Sequence, residues 1–336
     1  MKRARRNLCL FWTILGICLF QAPVAPAAEK ISLILNWVPV GYHAGFFVAR
    51  DKGYYAEEGL EVDIIGGKGS GLAVKSVATG TANMGMADAG TVVAGRSQGL
   101  KVRMVGMFFD RSPMVIFVLK GSGIKGPKDL PGRTLAAPVA SAPRVLFPAF
   151  ARANGISVDS VKWLTTVPAV LPITLATKQV EGIADFSTAW PNFERAAREK
   201  GLELEMIRYA DHGLDIFGLS LISGDKWIQN NPKLLKAFLK GTYRGIRWVI
   251  KDPSDGINIL LKSHPALGRS ASLERWHIAQ DLMLTPVSRK QGLGYMAPDK
   301  VKLLRDTITK YMDVKGSVAT EDLYTNEFLP RVYPPK

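Results

Sequence analysis

Cysteine is almost absent: the 336 residues contain two, Cys9 and Cys18. This excludes a disulfide scaffold, a cysteine-rich zinc fold and a ferredoxin-like cluster. Histidine is scarce as well. His43, His212, His264 and His277 are scattered, with no H-E-x-x-H spacing, so no zinc protease pattern exists. Glu274 and His277 have the i, i+3 spacing of half a di-iron site, but the other half is missing. Acidic residues are outnumbered, 29 against 44 Lys plus Arg, which gives a net charge of +15. Beyond the first 28 residues no apolar run reaches the roughly 18 positions of a membrane span. What is present is globular composition, 47% hydrophobic and 22% charged.

The N-terminus reads as an export signal. Lys2, Arg3, Arg5 and Arg6 form a basic region, residues 8–20 an apolar core, and Ala25-Pro26-Ala27 a small-residue cleavage motif. Residues 1–27 are therefore expected to be removed, with cleavage near Ala28. Both cysteines and four cations leave with them, and the excess charge falls to +11. The expected product is a soluble, cysteine-free, periplasmic chain.

Strand-like and helix-like segments alternate from residue 31, which predicts an α/β fold built on parallel sheets. Strands are expected at 31–35, 60–65, 83–86 and 102–108, with helices at 46–51, 72–79 and 91–98. After Gly121 the alternation restarts, with strands at 133–137 and 182–186 and helices at 145–153, 169–177 and 193–200. Ala78-Thr79 leads to Ala87-Asp88, and Ala176-Thr177 leads to Ala184-Asp185. This echo suggests two similar lobes, 28–113 plus 223–336 and 114–222. Apolar runs at 114–119 and 216–222 fall where the lobes would join. Asn231-Pro232 starts a helix and Asp252-Pro253 stops it. Along it Lys233, Lys236, Lys240, Arg244, Arg247 and Lys251 form one basic face, read first as solvated and second as a contact for acidic headgroups or a partner.

No enzyme signature is assembled. Gly67-Lys68 lacks the rest of a P-loop, no G-x-S-x-G elbow occurs, and the basic residues are too dispersed for a nucleic-acid groove. The expectation is a binder, not an enzyme, without cofactor or metal. Loops that follow strands are where open α/β sheets bind ligands. They carry Trp37, Gly69, Ser70, Asp88 and Phe108 in the first lobe, and Ser141, Arg144, Asp185 and Trp190 in the second. Asp215 adds a third carboxylate. Aromatic faces at Trp37, Phe108 and Trp190 suit a flat ligand, and the carboxylates can accept from ring or amino N–H groups. Each has a plainer use: aromatics pack in cores, Asp88 and Asp185 can cap helices, and His43 can be a satisfied loop histidine.

Leu35-Asn36-Trp37-Val38-Pro39, His43-x-Gly45 and Ala49-x-Asp51-Lys52-Gly53-Tyr54-Tyr55 resemble the opening of the NMT1/THI5-like family. Glu58-Gly59-Leu60-Glu61-Val62, the glycine loop at 66–71 and residues 126–133 (GPKDLPGR) continue the resemblance. It implies a two-lobed type II periplasmic binding protein fold with ligand in the interlobe cleft and crossover strands near 114–119 and 216–222 as hinge. The implied role is capture of a small molecule, as a monomer, for an ABC permease and its ATPase. The W-x-P-x-x-x-H-x-G element is similar to that of members binding thiamine-precursor pyrimidines, although Asn36 stands where those members typically carry Asp. Sulfonate, nitrate and aromatic acids are alternative ligands; for a small anion Arg144 and Arg111 would be the partners. The family also contains pyrimidine synthases that consume a histidine matching His43 by position. Those carry a cysteine cluster that this mature chain lacks.

Overall fold

The computed structural model describes residues 27–312, 314 and 318–335. All of the expected export signal but its last residue lies outside them. Among the described residues ten strands form two five-stranded sheets. The first holds β1 (Glu29–Ile34), β2 (Leu60–Ile65), β3 (Met84–Asp88), β4 (Val102–Met107) and β10 (Leu219–Gly224), in the order β2-β1-β3-β10-β4. The second holds β5 (Met114–Leu119), β6 (Thr134–Ala136), β7 (Lys162–Leu164), β8 (Gly182–Phe186) and β9 (Leu204–Arg208), in the order β7-β6-β8-β5-β9.

The two orders are equivalent. Each sheet is parallel except for one strand, β10 or β5, which runs antiparallel to both its neighbours. That strand arrives from the other lobe. The chain therefore crosses at 108–113 and again at 209–218. Residues 114–119 lie wholly within the second sheet, and most of the 216–222 run lies within the first, so each run is the strand that follows a crossing. Both are apolar because they are central strands buried on two faces. The β7 and β9 strands were not expected. β7 is three residues long, and β9 (LEMIR) mixes charge into a half-exposed edge.

Helices cover the sheets: α1 (Ala44–Asp51), α2 (Ser70–Ala78), α3 (Ala89–Ser97), α4 (Ala142–Val145), α5 (Phe147–Ala153), α6 (Leu171–Ala176), α7 (Trp190–Arg198), α8 (Asp225–Asn230), α9 (Pro232–Lys251), α10 (Pro253–Ser263), α11 (Arg269–Met283), α12 (Pro286–Gln291) and α13 (Pro298–Tyr311). One helix expected at 145–153 is two, because Pro148 cannot continue the hydrogen bonding of a helix already begun. On α9, Leu235, Phe238 and Ile246 are fully buried as expected. Its basic face is partly occupied: Lys240 pairs with Glu58 at 2.6 Å, Arg244 with Glu57 at 2.6 Å, and Arg247 donates to the Tyr333 carbonyl. Among the described residues no helix is long and apolar enough to cross a membrane.

Candidate functional site

The two lobes face each other across a narrow cavity. The first lobe contributes Asn36, Trp37, Tyr42, Gly69, Ser70 and Arg275 to its lining; the second contributes Ser141, Asp185, Phe186 and Thr188. A wider apolar mouth, with Val38, Pro39, Val167 and Pro168, opens beyond it, and Trp37, Asp185 and Arg275 reach both spaces.

Two sequence motifs meet to make the first-lobe wall. The glycine loop folds back on the Asn36-Trp37 turn: Gly67 N–H donates to the Trp37 carbonyl at 3.0 Å, and Gly69 N–H to that of Asn36 at 2.9 Å. A Cβ on Gly67 would overlap the Leu35 carbonyl, so only glycine permits this approach. Gly69 has φ +123°, and Gly71 N–H donates across the cleft to the Ala140 carbonyl at 3.0 Å. The lobes are thus latched together beside the cavity.

Behind Trp37 lies a polar chain. Val40 N–H donates to His43 Nδ1 at 3.1 Å, which leaves the ring proton on Nε2, 3.0 Å from Asn36 Oδ1. Asn36 Nδ2 in turn donates to Tyr42 Oη at 3.2 Å. The Tyr42 hydroxyl hydrogen remains free for the cavity. His43 is completely buried and does not line the cavity. Burial, and then the Arg275 charge, hold its imidazole well below the usual value, so it is neutral. Its place is to fix Asn36.

Asp88 and Asp185 sit on equivalent strands with opposite fates. Met84 and Gly182 occupy matching register positions beside β1 and β6, so Asp185 falls one residue earlier on β8 than Asp88 does on β3. One residue reverses the face of a strand. Asp88 is fully buried and its Oδ1 caps α3 through Gly90 and Thr91, while Oδ2 has no partner. Burial pushes it up to about 7, against the lowering effect of those two amides. Asp185 instead lines the cavity, with Oδ1 accepting from Phe186 N–H. Burial pushes it up to about 6, opposed by that amide and by Arg275.

Of the expected site residues, the structure brings Trp37, Gly69, Ser70, Ser141 and Asp185 together at one cavity. The others stand apart from its lining. Phe108 is core, its ring stacked 5.8 Å from Phe46. The Trp190 ring lies 6.2 Å from Phe117 in the second-lobe core. Arg144 donates through Nη1 to the Ala137 carbonyl and Thr165 Oγ1 and lies over Trp163, outside the cavity lining. Asp215 and Arg111 are exposed. Sequence reasoning missed Tyr42 and Arg275. Tyr42 adjoins His43 and lay within reach of the motif; Arg275 sits on a C-terminal helix with nothing local to mark it. Among the described residues no three His, Cys, Asp or Glu side chains gather as metal ligands.

The NMT1/THI5 like family model matches residues 40–255. Among curated proteins, the 4-amino-5-hydroxymethyl-2-methylpyrimidine phosphate synthase of Uromyces fabae is 24% identical, covering 90% of this chain and 88% of its own. The formylaminopyrimidine-binding protein of Halalkalibacterium halodurans is 26% identical, covering 70% and 71%. A synthase of the same name from Legionella pneumophila is also 26% identical, covering 71% and 75%. Among solved structures, a Bordetella bronchiseptica protein superposes with TM-score 0.70 at 19% identity, covering 89% of this chain and 95% of the other. The periplasmic aliphatic sulphonate-binding protein SsuA of Escherichia coli gives 0.65 at 14% identity, covering 93% and 94%. The periplasmic nitrate-binding protein NrtA of Synechocystis gives 0.65 at 11% identity, covering 90% and 88%. The fold is that of periplasmic binding proteins. The synthase names correct one expectation: missing enzyme motifs and the scarcity of cysteine do not mark this chain as a non-enzyme, because its relatives include enzymes.

Proposed function

The chain belongs to the NMT1/THI5-like family, and from that premise we propose that it captures a pyrimidine-like heteroaromatic ligand in the interlobe cavity. One observation carries the reading: polar groups without sufficient protein partners converge there beside aromatic faces. Thr188 Oγ1 is buried with no partner, Tyr42 keeps a free hydroxyl hydrogen, and Asp185 keeps a free oxygen. Buried polar groups are costly unless paired, so such a set is one that a ligand completes. Trp37, Tyr42 and Phe186 supply flat surfaces, and Asp185 accepts from an exocyclic amino group. The name of the Halalkalibacterium relative supports the same ligand class.

The chain acts, on this reading, as the exported capture component of an ABC importer, a periplasmic monomer freed from a signal at 1–27 that delivers to a permease and its ATPase. Calorimetric titration with a panel of aminopyrimidines, flavins, aromatic acids, sulfonates and nitrate tests it. Saturable one-site binding of an aminopyrimidine, at about micromolar affinity or roughly 8 kcal/mol, supports it; a preference for sulfonate or nitrate counts against it.

A second reading, favoured by the synthase names, is pyrimidine formation in the same cleft with His43 consumed. Peptide mass mapping of the protein recovered from its source cells tests it. A modified His43 peptide supports that reading, and an intact one in every molecule counts against it.

A further inference from the structure

Arg275 is nine-tenths buried, 9% exposed, and borders both the inner cavity and its mouth. Among the described residues its guanidinium makes no hydrogen bond and no ion pair, although Asp185 lines the same cavity. A buried guanidinium left without a partner is strongly unfavourable, and its planar fork matches an oxyanion. The groups around it point the same way. Tyr42 has a hydroxyl hydrogen to give, and Ser70 Oγ, already accepting from Asp88 N–H, has another. The inner cavity thus holds one cation, several neutral donors and one carboxylate.

We infer that Arg275 is an anion-recognising residue and that the ligand is a heteroaromatic carrying a carboxylate-type group as well as an amino group. The inference deepens the proposed reading and rests on it. The neutral amino group donates an N–H to Asp185 and the carboxylate faces Arg275, so each charged side chain of the cavity gains a partner. A dianion such as a phosphate ester would leave one negative charge facing Asp185, which sets the preference for a single charge. Burial lowers the Arg275 guanidinium, with Asp185 and Tyr42 opposing, and an anionic ligand would relieve this desolvation.

The test compares 4-aminopyrimidine-5-carboxylate, its 5-carboxamide and its 5-methyl phosphate by calorimetry, on the parent, Arg275→Lys and Arg275→Met. The carboxylate is expected to bind the parent at least tenfold more tightly than either other probe, and to lose that advantage in Arg275→Met. Circular dichroism and thermal unfolding report whether each variant is folded. Should Arg275→Met fail to fold, the parent comparison and Arg275→Lys, which keeps charge but loses the fork, still decide. Equal affinities for carboxylate and carboxamide, tighter binding of the phosphate, or an advantage that survives in Arg275→Met would overturn the inference while leaving the heteroaromatic reading intact. No binding of any probe would overturn both.

Discussion

His43 Nε2 lies 3.0 Å from Asn36 Oδ1, inside a fully buried polar chain that ends at the cavity-lining Tyr42 hydroxyl. The histidine acts on the cavity through the asparagine. His43→Ala strands the Asn36 carbonyl and is expected to lower stability by about 1–3 kcal/mol, the cost of a buried group left unpaired. Ligand affinity falls with it. The pH signature is distinctive: a histidine held below its usual 6.5 is protonated only in the unfolded chain, so the contribution of His43 to stability is lost as pH falls through 6.5. Thermal unfolding from pH 5 to 8 should show that slope reduced in His43→Ala.

Asp88 gives the opposite slope. It is pushed from 3.8 to about 7, so between those values the folded chain holds a proton that the unfolded chain has released. The Asp88 contribution to stability therefore falls as pH rises across that window, by about 1.4 kcal/mol per unit of separation. Asn caps helices as well as Asp does. Asp88→Asn should keep α3, flatten this slope and be more stable than the parent at pH 8 in thermal unfolding.

Asp185 is expected to govern affinity and its acid limit. As pH drops below about 6 the carboxylate protonates and loses the charge that attracts an amino N–H. Affinity for an aminopyrimidine should weaken below that pH in the parent. Asp185→Asn should bind about tenfold or more weakly at pH 8, in line with roughly 1.5–3 kcal/mol for a hydrogen bond to a charged group, and show less pH dependence. Calorimetry at pH 5, 6.5 and 8 provides the comparison.

The interlobe latch yields a fourth test. Gly69 combines φ +123° with contact against Ala140, and a Cβ there would overlap the Ala140 carbonyl. Gly69→Val should leave both lobes folded by circular dichroism but hold them apart, widening the particle by small-angle scattering and lowering ligand affinity at least tenfold, or about 1.4 kcal/mol.

Local pattern made much of this legible. Residues 60–65 and 182–186 are strands at their expected bounds, and the Asn231-Pro232 and Asp252-Pro253 pairs bracket α9. The Ala-Asp echo does mark equivalent strands, since β3 and β8 occupy the same place in their sheets. Its one-residue offset, visible in the sequence, is what separates a helix cap from a cavity carboxylate. Side-chain direction set the limit. Phe108 and Trp190 follow strands as Trp37 does, yet only packing reveals that Phe46 and Phe117 claim them. Arg275 was invisible because its neighbours in the cavity, Trp37 and Asp185 among them, lie far from it along the chain.

The most direct test of the central claim is a crystal structure of the protein with 4-amino-5-hydroxymethyl-2-methylpyrimidine, the pyrimidine whose phosphate the synthase relatives are named for. The expected result places the ring in the interlobe cavity against Trp37, with the amino nitrogen within hydrogen-bond distance of Asp185. A ring bound away from Trp37 and Asp185, or a cavity still empty at saturating ligand, would contradict the account.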